Sequence, residues 1–268
     1  MIRFIGACTA SLAIIAICAS VASAEEKSVE TLRDIPAFFA LPVELDVDRG
    51  AANGNAAILR IQPLYKFPLG KNMELANLTI LTFADAPGTP AFPGAPGAGK
   101  TTGVADLLHA SFFTPKSSGN VVWGVGPIVS LPTATDEALG SEKWSIGPAL
   151  RFAYRTEQWN LGFIAGQRWS FAGTGSRNDV NQLLFRGAIR RELAKDWYFV
   201  SAPLITANWE RPGRDWLIPV GGGIGRTFNI GRFPWAWSVQ GYYNVVKADP
   251  DPDWVVRFAI IPAIPFGN

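Results

Sequence analysis

The chain has 268 residues, 24 of them basic and 22 acidic, is 48% hydrophobic and carries ten tryptophans. A charge so close to neutral excludes the basic surface that nucleic acid demands. After the first two dozen residues no apolar run is long enough for a membrane helix. The two cysteines, Cys8 and Cys18, both lie near the start, so no disulfide framework holds the rest.

Residues 1–24 read as a secretory signal peptide. Arg3 supplies the positive end, Phe4 to Val21 is almost wholly apolar or small, and Ala22-Ser23-Ala24 is the cleavage site. A membrane anchor is the rival reading, and the small-residue site counts against it. A lipoprotein signal fits worse. Ile17 stands before Cys18 where a small residue is wanted, and Cys8 comes too early. Residues 25–268 then form one exported domain without cysteine. Two architectures suit it, a soluble β-protein or an outer-membrane barrel.

After a short polar lead-in, strand-length runs fall at 37–47, 56–67, 72–83, 104–114, 120–131, 143–154, 158–171, 180–193, 196–208, 215–228, 235–246 and 254–266. About twelve is an even number, as a bacterial outer-membrane barrel requires. The connections mostly alternate. The longer ones are 48–55, 84–103, 132–142, 172–179, 209–214 and 247–253; the shorter are 68–71, 115–119, 155–157, 194–195 and 229–234. This predicts an all-β fold, a transmembrane antiparallel β-barrel with both termini in the periplasm and the long loops outside. A soluble sandwich has no reason to keep that alternation, although aromatic-flanked strands alone do not exclude it.

The tryptophans predict two girdles. Trp123, Trp159, Trp197, Trp235 and Trp237 fall at strand ends on the short-turn side; Trp144, Trp169, Trp209, Trp216 and Trp254 fall on the long-loop side. Indoles settle at both interfaces of a bilayer, whereas in any other β-protein they merely flank turns. Within the strands, period-two alternation separates a lipid face from a lumen face. The lumen set includes Arg60, Lys66, Arg151, Arg155, Arg168, Arg186, Arg190 and Arg257, with Gln240 and Asn244. The inward acids are fewer: Glu44, Asp46, Glu74 and Glu192. Such a lumen favours anions, unless Arg–carboxylate pairs plug it. Prolines at 42, 63, 127, 148, 203, 219 and 262 argue against uninterrupted ladders. Bulges or kinks at these points would reconcile them with a barrel, with one bend expected beside Gly221-Gly222-Gly223.

Two motifs invite a chemical reading. Gly94 to Thr101 matches the phosphate-loop pattern G-x-x-x-x-G-K-[ST]. That chemistry needs a strand before and a helix after. Here a Pro/Gly-rich stretch precedes it and Gly103 follows, so a flexible loop is expected and no nucleotide. His109, the single histidine, and Ser111 share a strand face. A His-x-Ser pair resembles that of the lipid A deacylases, outer-membrane barrels whose serine and base face the lipid. In this chain the pair is expected on the lumen side, with Asp106 on the opposite face. No metal or cofactor motif is present.

The motifs taken in order carry a resemblance over nearly the whole mature chain. They include Ile61-Gln62-Pro63, Trp123-Gly124-Val125-Gly126-Pro127, Leu131-Pro132-Thr133-Ala134-Thr135, Leu139-Gly140, Lys143-Trp144, Gly147-Pro148, Trp169-Ser170-Phe171-Ala172-Gly173, Val180-Asn181, Ile205-Thr206-Ala207-Asn208-Trp209, the Pro219–Gly225 run and Tyr242-Tyr243-Asn244-Val245. The pattern resembles a family of Gram-negative outer-membrane proteins described as transporters and grouped under the phenol-degradation meta-pathway, some of which carry the misleading label neuromedin U. The resemblance implies an outer-membrane barrel that passes a small solute, aromatic or hydrophobic by analogy with related hydrocarbon channels. It implies bilayer lipid and the barrel-assembly machinery as partners. The terminal Pro265-Phe266-Gly267-Asn268 departs slightly from the aromatic end that assembly uses. Two other functions stay open: a non-conducting structural or adhesive barrel presenting loops such as 84–103, and a lipid acyl hydrolase using His109 and Ser111.

Overall fold

A computed structural model describes residues 37–51, 54–87, 100–116, 119–210, 215–231, 233–248 and 251–266. The proposed leader, the loop 88–99 and the last two residues lie outside the described residues.

All regular structure among the described residues is β, arranged as a closed barrel of twelve antiparallel strands. They are β1 (Ala37–Ala40 and Val43–Arg49), β2 (Ala57–Ile61 and Leu64–Leu69), β3 (Met73–Pro87), β4 (Lys100–Val104 and Leu107–Pro115), β5 (Val121–Leu131) and β6 (Lys143–Arg155). There follow β7 (Trp159–Gly173), β8 (Asn181–Glu192), β9 (Trp197–Ser201 and Leu204–Asn208), β10 (Asp215–Ile230), β11 (Phe233–Val246) and β12 (Trp254–Phe266). Each strand pairs with its sequence neighbours, and β12 closes on β1 through Arg257↔Asp46 and Ile260↔Val43. Closure leaves no unpaired edge, which a lipid environment would not tolerate.

The strand ends that flank 70–72, 116–120, 156–158, 193–196 and 231–232 lie at one end of the barrel, and those that flank the longer connections at the other. The short turns rest on local chemistry. Gly70 and Gly231 take φ of 71° and 62°, the left-handed region that a tight reversal needs.

The prolines act as expected, by interrupting ladders. The paired segments of β1, β2 and β9 stop before Pro42, Pro63 and Pro203. Pro219 sits at a register shift between β10 and β11. Pro127 and Pro148 oppose each other across β5 and β6, and each lies where the ladder on its other side is skipped. Gly126 and Gly147 permit the close approach beside them. A Cβ at Gly126 would strike the carbonyl of Ser111, and one at Gly147 that of Gln167.

Outward residues are apolar along the strand middles, with Val125, Ile146, Leu150, Ile224 and Phe258 all exposed. Phe152, Phe163 and Phe185 stack across three strands, with centroids 5.8 and 5.5 Å apart. The strand alternation puts all ten tryptophans on this outer face, near the two rims. Trp123, Trp144, Trp159, Trp169 and Trp254 are exposed. The other five are half-buried, among them the edge-on pairs Trp197–Trp237 and Trp209–Trp216. Arg191 and Arg226 lie over Trp159 and Trp197 at the short-turn rim.

Candidate functional site

The interior is built in layers. At its middle an apolar plug joins Leu78, Ile80, Leu108, Phe112, Ile128 and Ile164, all at most 1% exposed. They are the inward halves of alternating strands, so burial here is against facing walls of the same barrel.

Beside the plug runs a charged belt. Asp46 is its hub. Arg60 Nη1 donates to Asp46 Oδ2 at 2.6 Å, and Arg257 donates from Nε and Nη2 at 2.7 and 2.8 Å. Glu44 accepts both terminal nitrogens of Arg186, at 3.2 and 3.0 Å. Strands β1 and β8 are not neighbours in the sheet, so this pair crosses the interior. Arg257 Nη1 also donates to the Ala202 carbonyl at 3.0 Å, beside the proline break in β9. The Ala202 amide donates to Tyr242 Oη, whose proton goes to Gln240. Gln240 in turn donates to Ser238 Oγ at 2.9 Å. Attraction within such buried pairs is largely offset by the cost of drying the charges, but removing one partner costs about 3–5 kcal/mol.

The remaining predicted residues are spread along the wall. Lys66 pairs with Glu74 at 2.8 Å. Arg190 pairs with Glu192 at 2.5 Å and covers the Tyr198 ring at 3.5 Å. Arg168 holds Gln182 through Nε and Nη2 and Ser145 through Nη1. Asn244 shares the inward face of Gln240 and Tyr242 at the long-loop end of β11, where its Nδ2 donates to the Pro252 carbonyl at 2.7 Å and pins a long loop. Arg151 is buried and Arg155 half-buried, and neither finds a hydrogen-bond or ion-pair partner among the described residues. Opposite-strand register places Arg151 against Gly124 and Ile164, and Arg155 against Asn160, toward the short-turn end.

A cap sits at the long-loop mouth. Loop 132–142 folds inward, and Leu139, 2% exposed, packs on Ala84 and Ala105 with Ile58 and Ala86 beside them. Asp106, at the break within β4, accepts from the Ala134 amide at 3.2 Å and from the Ser141 amide and hydroxyl, both at 2.7 Å. Arg177 Nη2 clamps the same loop through the Glu137 and Gly140 carbonyls, each at 2.6 Å. Hydrogen bonds from Lys143 and then Ser170 hold the Asp179 carboxyl below its ordinary range, fixing the neighbouring loop. Sequence reasoning missed the cap. Its available signal was an aspartate inside a strand-length run, at 106, with no inward partner.

Two motif readings meet the structure here. The described end of the phosphate-loop match, Lys100 and Thr101, opens a strand and not a helix, and Lys100 is bonded to Asp85 at 2.8 Å. The His109–Ser111 pair was expected on the lumen face, and that is corrected: both side chains point outward. In β4 the inward residues are Leu108, Ala110, Phe112 and Thr114, all buried. The expectation took polar to mean inward, but at this level the interior is apolar.

No family model matches the chain, and a search of curated proteins finds no match. Among solved structures, an outer membrane channel from Pseudomonas putida F1 aligns at 12% identity and a TM-score of 0.63, over 85% of this chain and 95% of that one. CymD, a monoaromatic hydrocarbon channel, aligns at 9% identity and 0.46, over 87% of this chain and 89% of its own. Outer membrane phospholipase A from Escherichia coli aligns at 8% identity and 0.42, over 94% of this chain and 98% of its own. The first likeness shows a shared fold; the other two are too distant to support more. Fold and apolar outer face together define an outer-membrane β-barrel.

Proposed function

We propose that this barrel is an outer-membrane channel for passive passage of a small hydrophobic or aromatic solute, with preference for one carrying negative charge. The observation that carries the reading is the inward-folded cap of loop 132–142, seated over an interior that is apolar at its centre and basic below. A cap fastened by one carboxylate and one guanidinium is a closure that can open. Arg151 and Arg155, with no acid beside them, supply an unneutralised positive field toward the short-turn end. In this reading the short turns and both termini face the periplasm, and residues 1–24 are the export leader. The barrel-assembly machinery inserts the chain. The motif series supports a grouping with the transporters of the phenol-degradation meta-pathway.

The test is single-channel recording in a planar bilayer with a salt gradient, using the refolded chain. Current steps with a reversal potential of anion sign are expected. Cation preference would remove the role of the arginines. A second reading, a non-conducting barrel whose loops are its working surface, draws on the plug and the paired belt. A silent barrel at high protein load would select it.

A further inference from the structure

Four polar side chains stand at the corners of a square, joined in a chain by three hydrogen bonds, on the outer, lipid-side face where β3 and β4 pair. Asn77 stands opposite Ser111, and Thr79 opposite His109. Thr79 Oγ1 bonds His109 Nδ1 at 2.9 Å, His109 Nε2 bonds Ser111 Oγ at 3.1 Å, and Ser111 Oγ bonds Asn77 Oδ1 at 2.8 Å. The other outward residues beside them on these two strands, Leu75, Leu81, Phe83, Leu107 and Phe113, are apolar. Polar and ionisable groups set toward hydrocarbon are costly and commonly mark function. A cluster that merely satisfied itself would leave no donor over. Here Asn77 Nδ2 is buried and unbonded, on a residue 4% exposed.

The arrangement is that of an activated nucleophile. A hydroxyl lies within reach of an imidazole, and the second imidazole nitrogen is held by a third group. As the square stands, Ser111 donates its one proton to Asn77 Oδ1; once that hydroxyl turns to the ring, the tautomer with its proton on Nδ1, donated to Thr79, has Nε2 placed to accept the Ser111 proton. The flanking ladders are both interrupted at this level. The β2–β3 pairing skips Gln62–Pro63, where the Thr79 amide reaches the Pro63 carbonyl at 3.1 Å. The β4–β5 pairing skips Ser111–Phe112. Ladder breaks thus bracket the square on the barrel wall.

We propose that this square is an acyl-ester hydrolase site whose substrate is the fatty-acyl ester of a bilayer lipid. Ser111 Oγ attacks the ester carbonyl while His109 Nε2 takes the hydroxyl proton. The tetrahedral oxyanion is met by the free Asn77 amide donor. Collapse breaks the ester C–O bond, and His109 returns the proton to the departing lipid alkoxide. Water then attacks the acyl-serine, gives its proton to His109, and releases the fatty acid with Ser111 restored. Ser111 and His109 are the catalytic residues; Thr79 is a positioning residue.

The test uses the full mature chain refolded in detergent micelles, treated with a fluorophosphonate and mapped by peptide mass spectrometry. An adduct on Ser111 is expected. Hydrolysis of a medium-chain p-nitrophenyl ester should fall about 10²–10⁴-fold in Ser111→Ala and His109→Gln. Thr79→Val should lower kcat and move its pH profile, and Thr79→Ser should restore both, which a purely structural threonine would not do. Mixed micelles of phosphatidylethanolamine and of lipopolysaccharide separate the two sources of acyl ester. The heat-dependent gel shift reports that each variant is folded, and the adduct is read on the native chain whatever the variants do. A native chain that forms no Ser111 adduct, or an esterase rate untouched in Ser111→Ala, overturns the proposal.

Discussion

Replacing Asp106 by alanine should unfasten the cap. Its carboxylate accepts three hydrogen bonds from loop 132–142, two of them at 2.7 Å. Bonds to a charged group contribute about 1.5–3 kcal/mol each when made singly. Three on one carboxylate do not add, and a total of ~3 kcal/mol is reasonable, or about a hundredfold in the closed-to-open ratio. The remaining fasteners are the Arg177 clamp and burial of Leu139, the latter of about 1.5–3 kcal/mol. Loss of Asp106 therefore removes a fraction comparable with everything left. In planar bilayers the open-channel fraction should rise steeply, and a protease should cut the loop faster. Asp106→Asn keeps an acceptor for one amide and should fall between. If Asp106→Ala leaves both the current and the cleavage rate of native protein, the loop is not a closure and the argument from the cap fails.

Glu44→Gln strands the Arg186 guanidinium inside the barrel and should lower stability by about 3–5 kcal/mol, seen as a lower temperature for the heat-dependent gel shift; an unchanged transition would mean the belt is solvated. Arg151→Glu combined with Arg155→Glu should reverse the sign of the reversal potential, and retained anion preference would place the selective field elsewhere. Gly126→Val drives a side chain into the Ser111 carbonyl and should abolish the heat-modifiable form; normal refolding would show that β4 and β5 can part there.

The strands were legible because their cause is local. Alternation such as Ser238, Gln240 and Tyr242 against Val239 and Tyr243 repeats within a single strand, and the turns carry their own glycines. The prolines were legible as bends for the same reason, since a missing N–H has one consequence wherever it falls. The lumen set was legible as a face but not as pairs. Which arginine meets Glu44 depends on a strand 142 positions away, and no periodicity encodes that. The cap failed to show because its fasteners, Asp106 and Arg177, join elements that only the closed barrel brings together. His109 and Ser111 were assigned the wrong face because polarity is a sound guide to the lumen only where the lumen is wet. At Phe112 it is dry.

The belt's two carboxylates both sit on the first strand, while Arg257 comes from the last, 211 positions on. Arg60 can find Asp46 as soon as β1 and β2 form a hairpin. Arg257 and Arg186 cannot arrive until the two ends of the chain meet at the seam. Their contribution is absent from every partly zipped sheet, and interactions made only in the finished state slow unfolding without hastening folding. The seam is therefore a latch, and its strength is set in kinetic terms: the barrel's lifetime in the membrane rests on charges that the folding chain does not use.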